Sequence, residues 1–370
     1  MITAPNASIA LPEATADALL RPLDALFDSL EGFFARDTSR VARRAPRVGV
    51  VEEMRLASDP AQRYFLFIPR GDSARRRIFV AIHGISRNAD EHAAEFSRLA
   101  ERHGLVIVAP LFDETRFPDY QRLGRSGKGE RADLMLDRIV AEVAQLSGTD
   151  GTRFHLFGYS GGGQFAHRYA LAHPERVVAY AIGAAGWYTL PDAAQKYPLG
   201  IRSTERLPDL AFDPRRFLAI PAAVFVGDRD VHDGTALRQS ERLRAEQGEN
   251  RHERGRTWID AMTHAARSLA METEFHFESL PRSPHCFLKS MRRGGLGERV
   301  VAWMFDRPQE VRPPLCGAVT LSLVPAFTAE RIAPKAILSC KANGDPATGA
   351  TMRASPAGAS RIRTCAAGPP

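Results

Sequence analysis

Seven short apolar runs, at 63–69, 76–84, 104–110, 153–160, 177–186, 220–230 and 274–281, alternate with stretches of helical period, and this alternation narrows the fold most. The runs are rich in β-branched and aromatic residues. Several of the middle ones, GLVIVAP among them, are apolar throughout, as a strand covered on both faces must be. Between them the spacing predicts helices at 89–102, 131–147 and 162–173, within 235–270, and at 287–305. Strands joined by helices in this way need right-handed crossovers, so the expected class is α/β, a mainly parallel sheet with helices on both faces.

The main domain is expected to span 46–306, with flanks of different character. Ahead of it, Leu19, Leu20, Leu23, Leu26, Phe27, Leu30, Phe33 and Phe34 recur at steps of three and four, which predicts an amphipathic helix within a 1–45 extension. Its polar positions include Asp17, Asp24, Asp28 and Glu31 rather than a row of lysines, so packing on its own domain, or else on a partner, is favoured over a membrane surface. Beyond the domain, 307–370 is dominated by Pro, Gly, Ala, Ser and Thr and reads as a disordered basic tail. That tail holds eight Lys or Arg against three Asp or Glu, which accounts for +5 of the net charge of +7. With its arginines sparse and Phe327 its one aromatic, it offers neither a charge stripe nor a stacking platform for nucleic acid.

No run approaches the roughly 18 apolar residues of a membrane span, and the N-terminus lacks a cationic start followed by an apolar block, so neither insertion nor export is expected. Three of the four cysteines lie in the tail, only Cys286 in the body, and no CxxC pair occurs. Neither a metal site nor a disulfide framework is indicated, and a cytoplasmic location follows as the expectation.

The stretch HLFGYSGGGQFAHRYA carries the chemistry. Gly158-Tyr159-Ser160-Gly161-Gly162 follows an apolar strand and opens a helix that stops before Pro174. Glycines suit a sharp strand-to-helix turn because side chains there would strike neighbouring backbone. Ser160 is then the candidate nucleophile, and the N–H of Gly161 a donor to the oxyanion formed when a carbonyl is attacked. A serine hydroxyl needs a base, and the base needs a carboxylate. VFVGDRD runs from a strand into Asp228 and Asp230, of which Asp230 is the favoured acid and Asp228 the alternative. FHFESLPRSPHCF runs from the next strand into a loop ending at His285, the favoured base, with His232 a minor rival and His264 and His276 read as structural. The second oxyanion donor is sought after an earlier strand, where Ile85 follows the His83-Gly84 turn; His83 itself reads as packing under that loop. The Pro-rich, aromatic segment 187–216 reads as a lid-like insertion or a plain surface loop, and Tyr159, Trp187 and Tyr188 as pocket walls or ordinary core aromatics.

Taken together, the His83-Gly84 turn, the Ser160 motif, Gly227-Asp228-Arg229-Asp230 and His285 resemble the α/β-hydrolase superfamily over about 60–306. Within it, RNADEHAAEFSRLAERHGLVIVAPLFD and GAAGWYTLPD look like the bacterial esterases related to polyhydroxyalkanoate depolymerases and feruloyl esterases. The resemblance implies Ser160 as nucleophile, Asp230 as acid, His285 as base, and ester hydrolysis without a cofactor. Ile85-Ser86-Arg87 stand where depolymerase-like loops carry a cysteine or small residues, and no counterpart of a secreted depolymerase's binding domain is seen, so a small-molecule ester is the expected substrate. A peptidase or amidase of the same fold, or a non-catalytic binding protein on this scaffold, are the competing readings.

Overall fold

The computed structural model describes residues 45–231 and 237–306; the expected N-terminal helix and basic tail lie outside the described residues. Eight strands form one sheet: β1 (Val51–Leu56), β2 (Asp59–Phe67), β3 (Arg77–Ile82), β4 (Leu105–Pro110), β5 (Phe154–Tyr159), β6 (Val177–Gly183), β7 (Ala222–Gly227) and β8 (Phe275–Leu280). Their spatial order is β1-β2-β4-β3-β5-β6-β7-β8. The pairs β1–β2 and β2–β4 are antiparallel, and every other pair is parallel. The helices are α1 (Ala89–His103), α2 (Ala132–Ser147), α3 (Gly161–Ala172), α4 (Pro214–Leu218), α5 (Glu241–Gln247), α6 (Arg251–Ser268), α7 (Phe287–Gly294) and α8 (Leu296–Phe305).

All seven expected strands form, and burial explains why the middle ones are legible. Every residue of β4, β5 and β7 is buried, as the uninterrupted apolar runs required. β1 is the strand that hydrophobicity did not announce: VEEMRL alternates around a mostly half-exposed edge and forms by pairing back on β2. The single helix expected at 287–305 is two, broken at Gly295, which takes a left-handed φ of 67° and caps α7.

After β3 the chain moves to β4 on one side and then crosses back to β5 on the other, so β3 lies between its two successors. With right-handed crossovers, that reversal sends α1 and α3 to opposite faces. α8 packs on α1, while α4 touches both α3 and α6. A reversal of winding opens a crevice at the strand carboxyl ends, here between the ends of β3 and β5. Those two ends carry the His83-Gly84 turn and Ser160. Among the described residues no helix is long and apolar enough to cross a membrane.

Candidate active site

Ser160 sits between β5 and α3 with φ 53° and ψ −112°, a backbone conformation costly for any side chain-bearing residue. The turn is held because the Ser160 N–H donates to the Gly183 carbonyl at 2.7 Å and its own carbonyl accepts from Gln164 N–H at 3.1 Å. The glycines have a steric reason. A Cβ at Gly158 would lie 2.0 Å from the Gly162 carbonyl oxygen, and one at Gly162 would lie 2.1 Å from that of Ile82. The motif is thus the packing requirement of α3 pressed against β3 and β5.

The two later loops converge on this turn. His285, just before α7, places Nε2 3.1 Å from Ser160 Oγ, and its Nδ1 lies 2.7 Å from Asp230 Oδ2. A carboxylate only accepts, so the ring proton sits on Nδ1 and Nε2 is left to accept from the serine hydroxyl. Asp230 is buried, and its second oxygen accepts from Arg251 Nη1 at 3.2 Å. Asp228 faces elsewhere: its exposed carboxylate accepts the backbone N–H groups of Arg282 and Ser283 at 3.0 and 3.1 Å. Those bonds, Arg282 first, hold its carboxyl below the usual range and tie the Asp230 loop to the loop that carries His285.

His276 on β8 meets Glu278, His264 is exposed on α6, and His232 lies outside the described residues. His83 is fully buried: Phe112 N–H donates to its Nε2 at 3.0 Å and its Nδ1 bonds the Gly84 carbonyl at 2.8 Å. Burial pushes its pKa down to about 4, so it is a neutral strut beneath the turn. That turn lies close to the serine, since a Cβ at Gly84 would stand 3.4 Å from Ser160 Cβ. Ile85, the next residue, is 54% exposed and lines a cavity of about 200 Å3 that also reaches Ser160, Gln121, Gln164 and Trp187. The Gly161 N–H belongs to the first turn of α3, where backbone donors have no intrahelical acceptor.

Of the three expected pocket walls, Trp187 lines the cavity. Tyr159 is buried beside it: its ring stacks on His285 at 5.6 Å, and its hydroxyl lies 3.2 Å from Ser290 Oγ. Burial raises its phenol pKa. Tyr188 corrects the expectation of a wall. It has no exposed surface, stacks on Trp258 at 5.1 Å, and its backbone N–H and carbonyl are both bonded by Gln247, so it is core beneath the site. The segment 187–216 is irregular but packed, with Tyr197, Ile201 and Leu207 buried and the Thr189 hydroxyl donating to the Pro198 carbonyl at 2.7 Å.

Two arginines escaped the sequence reading. Besides Arg251, Arg168 on α3 is fully buried; its Nε donates to Thr189 Oγ1 at 3.0 Å and its Nη1 to the Gln121 carbonyl at 2.7 Å. Its guanidinium lies 4.1 Å over the Trp187 ring, and burial pulls its pKa down to about 9. A helical arginine ordinarily reads as solvated, so neither carries a signal in the sequence.

The profile of the Esterase PHB depolymerase family matches residues 62–267, more than half of the chain. The chain belongs to this family. It is an α/β-hydrolase and an ester-hydrolysing enzyme. The esterase has the same fold as a poly(aspartic acid) hydrolase from Sphingomonas sp. KT-1, at 21% identity and a TM-score of 0.58, covering 70% of this chain and 98% of that one. It also shares the fold of a poly(3-hydroxybutyrate) depolymerase from Bordetella parapertussis, at 23% identity and a TM-score of 0.57, covering 71% and 92%. No curated protein matches the esterase by sequence.

Proposed function

We propose that the esterase cleaves a small carboxylic ester through an acyl-enzyme on Ser160, with His285 as base and Asp230 as the acid that orients it. The observation that carries this reading is the continuous chain of hydrogen bonds, 3.1 Å from Ser160 Oγ to His285 Nε2 and 2.7 Å from His285 Nδ1 to Asp230 Oδ2. Ser160 Oγ attacks the ester carbonyl while its proton passes to Nε2, and Asp230 stabilises the imidazolium that results. The negative charge forming on the carbonyl oxygen falls to the N–H groups of Gly161 and Ile85. Collapse of the tetrahedral intermediate expels the alcohol, which takes the proton from His285. Water activated by the same His285 then releases the acid and restores Ser160.

Ester is favoured over amide because an alkoxide leaves with less help from a general acid than an amine does. A cytoplasmic location, from the cysteine usage, completes the proposal. Turnover of p-nitrophenyl butyrate by the wild-type enzyme and by Ser160→Ala tests it: the variant should lose about a million-fold in kcat. Equal turnover in the variant rules the mechanism out.

A further inference from the structure

The cavity beside Ser160 is built around positive charge. Besides the serine, its lining includes Arg122, Arg238 and Arg251. Beneath it lies Arg168, whose side chain bonds the Gln121 carbonyl and Gln164 Oε1 and covers the Trp187 ring, all three belonging to cavity-lining residues. A second guanidinium, that of Arg238, lies 5.7 Å over the same ring.

Among the described residues the carboxylates nearby do not balance these cations. Asp119 is divided between Arg122 at 2.6 Å and Arg125 at 2.9 Å. Asp230 is divided between His285 and Arg251. Of these five guanidiniums, Arg122, Arg125 and Arg251 take up the two carboxylates, while Arg168 and Arg238 form no ion pair among the described residues. Moreover, Nη2 of Arg168 and Nε of Arg251 are buried without a protein acceptor. A buried donor left unpaired costs free energy, and a fully buried cation without a partner costs more. An aliphatic acyl chain in this cavity would strip water from the guanidiniums and give nothing in return. An anion there would offset their charge, with Gln121 and Gln164 as further amide donors beside it.

Building on the Ser160 reading, we infer that the esterase selects esters carrying a free carboxylate, which is seated in the cavity by Arg238 and Arg122 over the buried charge of Arg168. The exposed Arg238 is the group that meets the anion first.

The test compares kcat/KM of the full-length enzyme on matched charged and neutral esters at low ionic strength. Monoethyl adipate against ethyl heptanoate places the carboxylate in the acyl part, and γ-acetoxybutyrate against hexyl acetate places it in the alcohol part. In at least one pair the charged ester should be preferred by roughly tenfold or more. Arg238→Gln or Arg122→Gln should lower that preference by roughly three- to tenfold, mainly through KM, and added salt should weaken it in the wild type. Preference for the neutral ester in both pairs, or a ratio that both variants leave unaltered, overturns the inference. If neither pair is turned over, protection of Ser160 from a fluorophosphonate decides: slowing by adipate but not by adipamide supports it, and equal rates overturn it. Labelling of Ser160 separates the two claims. An enzyme labelled there without charge preference loses only this inference, whereas one that is not labelled at Ser160 loses the serine mechanism.

Discussion

The guanidinium of Arg251 holds the far side of Asp230: its Nη1 lies 3.2 Å from Oδ1, both side chains are buried, and Oδ2 is thereby left to His285. Removing one member of a buried pair strands the other's charge. Arg251→Met should therefore destabilise the fold by about 3–5 kcal/mol, read from the urea midpoint. It should also reduce kcat, because an Asp230 freed of Arg251 no longer fixes the imidazole. A variant as stable and as active as the wild type would show the pair to be idle.

The two aspartates of the GDRD loop should separate cleanly. Asp230→Asn should drop kcat by about ten-thousandfold, as removal of the carboxylate leaves the wrong tautomer at the base. Asp228→Asn keeps one acceptor oxygen and turns the other into an NH2 donor, so one of the two backbone N–H bonds is lost and the effect should be confined to a modest loss of kcat through a looser His285 loop. Steady-state kinetics of the two variants checks this, and reversed magnitudes would reassign the acid.

These predictions rest on features of unequal legibility in the sequence. β4, β5 and β7 were plain because strands buried on both faces can carry almost no polar residue. β1 was not, since an edge strand needs only its neighbour and its own alternation is weak. Ser160, Asp230 and His285 each follow a recognisable strand, so chain order alone points to their lying at neighbouring strand ends. Arg168 and Arg251 were invisible because their environment is made by β5–β7 and the loops around them, and local spacing says nothing of which helical arginines will be buried. Tyr188 failed for the same reason: adjacency to Trp187 in sequence does not tell which of two neighbouring aromatics turns into the core.

Gly162 offers a steric prediction independent of catalysis. Alanine there sets a Cβ 2.1 Å from the Ile82 carbonyl, so α3 must move away from β3. Overpacking of this kind costs typically about 1–3 kcal/mol, and it displaces Ser160 as well. Gly162→Ala should lower both the thermal midpoint and kcat; a fully active variant of wild-type stability would mean that the helix yields freely.

A buried neutral histidine makes stability depend on pH in the acid range. His155 is buried against Phe305, with desolvation, then the nearby Arg77 and Arg153, pushing its pKa down to about 3. The unfolded chain titrates near 6.5, so between these values the unfolded state binds a proton the native state refuses, and stability falls as pH drops below about 6.5. From pH 7.5 to 5 one such group accounts for about 2 kcal/mol. Urea unfolding of His155→Leu at both pH values should show a pH-dependent loss smaller by about that amount. An identical loss in wild type and variant would mean that His155 takes up its proton in the native state.

The central claim is that Ser160 is the nucleophile, and mass spectrometry after reaction with a fluorophosphonate tests it directly. A single adduct on the peptide carrying Ser160, absent from Ser160→Ala and greatly slowed in a folded His285→Ala, is the predicted result. Labelling that persists in Ser160→Ala, or a wild-type enzyme that hydrolyses esters without taking the adduct at Ser160, would contradict it.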